Sequence, residues 1–163
     1  MSPVASGNGA HVIHQNLAAS IAGYTLVSYS PWRTLFPPSL YPLGRTMPAD
    51  IIHTTADYAV FHRRRTSKLV ITFQNYVLDG FMKAYSSPAQ WLHYQTDLKY
   101  FTRKAVNRAD IVTTVSRATE ELIRTDLGYK GEIALIRNGI DTGVFRPGER
   151  AAAQDINVLF SGN

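Results

Sequence analysis

The chain has 163 residues, 45% of them hydrophobic and 18% charged, with no cysteine and a net charge of +5. Such a chain holds one sizeable core, which excludes two full domains, a disordered polymer and any disulfide or thiolate framework. No apolar stretch reaches the length of a bilayer span and no secretory leader opens the chain; a cytoplasmic protein is expected, with a charge suited to an anionic ligand or an acidic membrane surface rather than nucleic acid.

Residues 1–5 offer at most a very short first strand. The turn Ser6-Gly7-Asn8-Gly9-Ala10 then runs into a helix over 11–21, with Val12 or Ile13, Leu17 and Ile21 on one face and Gly23 at its end. A strand over 24–29 is followed by a proline-rich loop over 31–48, in which Trp32, Phe36 and Tyr41 either line a site or cap the core. A short strand over 51–53 ends at His53, one or two helical turns follow over 57–62, and 68–73 is the clearest strand. Ser87-Pro88 opens a helix whose apolar positions Trp91, Tyr94, Leu98, Phe101 and Ala105 recur at spacings of three and four. The next strand covers 110–115, and Ser116 caps a helix that Gly128 closes. A last strand over 132–136 meets the turn residues Asn138-Gly139 and Asp141, then Pro147-Gly148, before a fresh apolar run over 156–160. Near-continuous apolar strands alternating with helices argue for an α/β fold, a doubly wound parallel sheet with helices on both faces.

Glycines ahead of a helix let backbone N–H groups approach a phosphate or another anion, although the same pattern also serves a plain strand-to-helix turn. A dinucleotide site fails on two counts. Val12 stands where the third fingerprint glycine belongs, and the second strand ends in Ser28-Tyr29-Ser30 without the acidic residue that would hold a ribose. Five scattered histidines show no ligand spacing, so no metal is expected. The run His62-Arg63-Arg64-Arg65 with Lys68 reads as a solvated helix end and loop, or alternatively as a contact for acidic lipid headgroups.

Together the glycine loop opening into AHVIHQNLAASI, the strand ADIIHTT, the stretches KLVITFQNYVLD and RADIVTTVSRATEELI, and IRNGIDTGVFRPGE followed by INVLFSGN resemble the N-terminal domain of family 4 (group 1) glycosyltransferases. That resemblance implies half of a two-domain GT-B fold. Residues 1–150 would form the Rossmann-like acceptor side, and 151–163 the linker and first strand of a donor-binding domain, so that this stretch is a fragment inactive by itself. It implies transfer of a sugar from a nucleotide-sugar donor, with retention of configuration and no other cofactor, to a sugar or lipid-linked acceptor at or near a membrane surface. Gly7, Asn8, Gly9, Ala10, His53, Gln74, Asn75, Ser116, Arg117, Asn138, Gly139 and Asp141 are the implied substrate-binding positions, with Gln74 and His53 as catalytic candidates. Gln74 stands where members commonly place a histidine, and glutamine cannot carry a proton in acid–base work. A non-catalytic sugar- or lipid-surface binding module of the same fold is the alternative that this departure keeps open.

Overall fold

The computed structural model describes residues 1–144 and 146; the expected apolar run over 156–160, the linker and the Pro147-Gly148 turn lie outside them. Six parallel strands form around two edges. β1 (Ser2–Ala5) pairs with β2 (Leu26–Tyr29), and β3 (Ile51–Thr55), β4 (Lys68–Phe73), β5 (Ile111–Thr114) and β6 (Ala134–Leu135) pair in that order. β1 also runs beside β3, joined by bonds from Met1 N to the Ile51 carbonyl and from His53 N to the Met1 carbonyl, each 3.0 Å. The alternation then places Pro3 at the next hydrogen-bonding position toward β3. Having no N–H, it cannot continue that ladder, and its carbonyl instead accepts the Thr54 hydroxyl. A proline thus explains why the six strands fall into a pair and a quartet.

The helices are α1 (Gly9–Ser20), α2 (Pro88–His93), α3 (Lys99–Val106) and α4 (Arg117–Asp126). Right-handed crossovers carry α1 to one face of the sheet, because β1 to β2 steps one way, and the later helices to the other, because β3 to β6 step the opposite way. The core is built on β3, β4 and β5, where Ile52, Leu69 and Ile71 have no exposed surface and join Leu40 and Ile123 from the flanking segments.

Several expectations change in detail. The proline-rich loop winds into two 3-10 helices, Pro31–Leu35 and Pro37–Leu40, since proline sets φ for such turns but offers no N–H to a longer helix. Trp32, Phe36 and Tyr41 stay exposed, neither capping the core nor lining the cleft described below. The third strand is longer than expected and the last is only two residues. On α1, Val12 and Ile21 are exposed, and the residue fully buried is His14. It is accepted there because its Nδ1 meets Ser2 Oγ at 2.6 Å and Tyr24 Oη at 2.7 Å. The helix after Ser87 contains a π-helical turn, Tyr94–Leu98, between α2 and α3. His62 is buried rather than solvated, and Arg64 is tied down, donating to the Met47 and Gly44 carbonyls.

Candidate functional site

A cleft of about 480 Å³ opens at the carboxyl ends of the strands. Its walls come from the segments after β1, β2, β3 and β4, so it sits where the strand order reverses between β1 and β3. In open parallel sheets that reversal leaves a crevice, because the loops on its two sides diverge.

The glycine loop forms one wall. Asn8 caps α1, its Oδ1 accepting the His11 N–H at 2.9 Å, and Asn8, Gly9 and Ala10 reach the cleft. Gly7 has φ of +83°, the backbone that makes the sharp entry into the helix, but does not itself line the cleft. The floor is Phe73, Gln74 and Asn75 at the end of β4. Asn138, 64 residues on and past β6, donates from Nδ2 to Gln74 Oε1 at 3.1 Å. This bond orients the glutamine and leaves its NH₂ group for a ligand.

The segment after β3 supplies what sequence reading missed. Tyr58 has φ of +55°, a left-handed conformation unusual for a bulky residue, and it is held by contacts. Its ring is buried, and its hydroxyl donates to Asp97 Oδ2 at 2.6 Å and lies 3.3 Å from His93 Nε2. On the opposite wall His93 immediately precedes the π-helical turn and Asp97 lies within it, and His93 Nδ1 is 3.6 Å from Asp97. The turn at Tyr58 presents Asp57 to the cleft as an exposed side chain. The walls around it still raise its carboxyl, to about 6, through lost hydration, opposed by nearby His93. Burial raises the Tyr58 hydroxyl well above its usual range, with Asp97 adding to the shift.

His53 lies in the middle of β3 rather than at its end, and it is not part of the cleft lining. Its Nδ1 meets Tyr24 Oη and its Nε2 meets Thr72 Oγ1, both at 2.8 Å, and Thr72 does line the cleft. Burial, then the nearby terminal ammonium, lowers its pKa. Ser116, Arg117, Gly139 and Asp141 follow the carboxyl ends of β5 and β6 but stay outside the lining. Ser116 Oγ caps α4 through the Thr119 N–H at 3.1 Å, and Asp141 Oδ1 accepts the Gly143 N–H at 2.8 Å. No group of three His, Asp or Glu side chains among the described residues is placed to hold a metal.

The arrangement offers fixed amides, a carboxylate, an imidazole and aromatic walls at a sheet edge, which suits holding a polyhydroxylated molecule. The model of the family described as Glycosyltransferase Family 4 matches residues 6–144, which include every residue of the cleft lining except Ala5. The chain belongs to that family. In this glycosyltransferase domain, the cleft residues from Asn8 to Asn138 lie within the match, and Ala5 stands just ahead of it. No curated protein gave a match to the chain. Among the described residues, no helix is long and apolar enough to cross a membrane.

Proposed function

We propose that this domain is the N-terminal, acceptor-holding half of a retaining glycosyltransferase that takes its sugar from a nucleotide-sugar donor. The observation that carries the reading is the cleft at the strand reversal, with Gln74 and Asn138 paired at its floor inside a family 4 domain. Acceptor hydroxyls would bind to Gln74, Asn75 and the loop over 8–10, facing a second domain that holds the nucleotide. The leaving diphosphate needs cations to stabilise its growing charge, and among the described residues the cleft lining contains no Lys or Arg. That deficit favours a donor site whose cations come from the other domain. Peripheral membrane contact through Arg63, Arg65 and Lys68 would place the bilayer near the amino ends of β4 and β5, away from the cleft.

The test is a transfer assay on the full-length enzyme with radiolabelled nucleotide-sugars. Gln74→Ala and Asn138→Ala should each lower kcat/KM about tenfold, and the double variant should lose less than the product, because the two side chains act as one unit. Residues 1–163 alone should bind the donor weakly by calorimetry and give no product. Tight donor binding or turnover by that stretch would overturn the two-domain division. Sugar binding without turnover by the full-length protein would favour the non-catalytic alternative.

A further inference from the structure

The cleft is set apart from the rest of the molecule by its charge. The chain carries +5 overall, yet among the described residues lining the cleft there is no Lys or Arg, and Asp57 is the one carboxylate. The basic side chains gather elsewhere. Arg63, Arg64, Arg65, Lys68 and Arg108 surround two cavities at the amino ends of β4 and β5, the opposite edge of the sheet.

The polar groups near Asp57 are already committed. The Tyr58 hydroxyl is given to Asp97, His93 is shared between Tyr58 and Asp97, and Gln74 is held by Asn138. Asp57 makes no hydrogen bond among the described residues. An ionised carboxylate only accepts, so its oxygens call for donors from outside. The strained backbone at Tyr58 keeps it facing the cleft, and such strain persists only where its surroundings enforce it.

From this placement we infer that Asp57 selects the acceptor: this half of the cleft takes an uncharged, polyhydroxylated molecule whose hydroxyls donate to the carboxylate, and it rejects acceptors carrying a carboxylate or phosphate at that point. The inference rests on reading the cleft as the acceptor side. Bringing an anion to Asp57 would set two like charges together with no Lys or Arg in the lining, and only His93, when protonated, near enough to offset them. A hydroxyl pair on a ring meets no such penalty, and the ring's apolar face has Tyr94 and Val77 to lie against.

The experiment is a titration of the ¹⁵N-labelled protein followed by amide shifts, using a neutral methyl hexoside and the uronic acid of the same ring stereochemistry. The neutral sugar should shift Asp57, Gln74 and Asn138, and the uronic acid should bind at least tenfold more weakly. In Asp57→Asn, which keeps shape and removes charge, that gap should shrink to about twofold. A pH series on the unmodified protein gives a second reading. Affinity for the neutral sugar should fall as pH drops through about 6, and this fall should vanish in Asp57→Asn. The variant is the control for the titratable groups around Asp57, namely His93 of α2, Tyr29 of β2, Tyr58 of its own turn and Asp97 of the π-helical turn. Equal or tighter binding of the uronic acid, or a gap unchanged in the variant, overturns the charge selection and leaves sugar transfer standing. If neither sugar shifts the cleft at tens of millimolar, the acceptor-side reading falls as well.

Discussion

Gly9 separates what folding requires from what a ligand requires. A Cβ built there meets no atom within 4 Å, and its φ is not in the left-handed region. Gly9→Val should therefore fold with an unchanged melting temperature, while sugar transfer drops because the branched side chain enters the cleft. A folded, fully active variant would reduce the loop to a structural turn. Two buried histidines give a different residue-scale test. Burial, aided by His53, lowers His14 to about 4, and burial with Arg45 and Arg64 does the same to His62. Neither ring nitrogen of His62 has a partner among the described residues. Because the folded pKa lies below the unfolded value of 6.5, stability is complete above 6.5 and is lost as pH falls toward 4. The effect is on the order of 2–3 kcal/mol for each group. Asp57 opposes this with the reverse sign, since a raised carboxyl costs stability above about 6 and regains it on acidification. The urea midpoint should thus fall between pH 7 and pH 4.5, and His62→Phe should flatten the slope. At this scale the family resemblance implied Asn8, Gln74, Asn75 and Asn138 as binding positions. It could not show that Gln74 and Asn138 meet, since their contact spans 64 residues. Nor could it single out Asp57, an isolated aspartate whose meaning comes only from the walls that the fold puts around it.

Among the elements, helix starts were the most legible. Ser87 and Ser116 cap α2 and α4 as their position before Pro88 and Arg117 implies, because capping is decided within four residues. Helix faces were less so. The period of α1 selected Val12 or Ile13, Leu17 and Ile21, but a histidine with two hydroxyl partners took the deepest position. The π-helical turn was hidden for a related reason: one extra residue in a turn leaves no mark on a spacing of three and four. How α3 and α4 stay together is again a matter of tertiary contacts. Asp126 at the end of α4 accepts from Lys99 of α3 and from the Tyr76 hydroxyl at 2.6 Å, and Arg103 reaches its carbonyl at 3.2 Å. Asp126→Ala strands a partly buried ammonium and a phenol. It should cost about 1–2 kcal/mol in chemical denaturation with the m-value unchanged, whereas Glu120→Ala, which loses only a pairing with Arg124 one turn along the same helix, should cost a few tenths. Equal losses would show that the Asp126 cluster is only a surface network.

For the whole molecule, the parallel α/β class followed from alternation alone, and the strand reversal that opens the cleft did not, because strand order is a property of three-dimensional pairing. The cleft lining at one edge of the sheet holds no Lys or Arg, whereas Arg63, Arg64, Arg65 and Lys68 cluster at the other edge. The seam at Pro3 divides the sheet in the other direction, between β1 and β3. A missing N–H there makes β1, α1 and β2 a unit joined to the quartet by few backbone bonds, so this unit should open on its own before the chain unfolds globally. Amide hydrogen exchange would read that hierarchy directly. Protons of α1 and β2 should be lost through a shared, shallower opening, and those of β4 and β5 only at the free energy of global unfolding. Since the glycine loop travels with the first unit and Gln74 with the second, the two walls of the cleft would then belong to regions of different lifetime, and anything bound between them would slow the exchange of the weaker one.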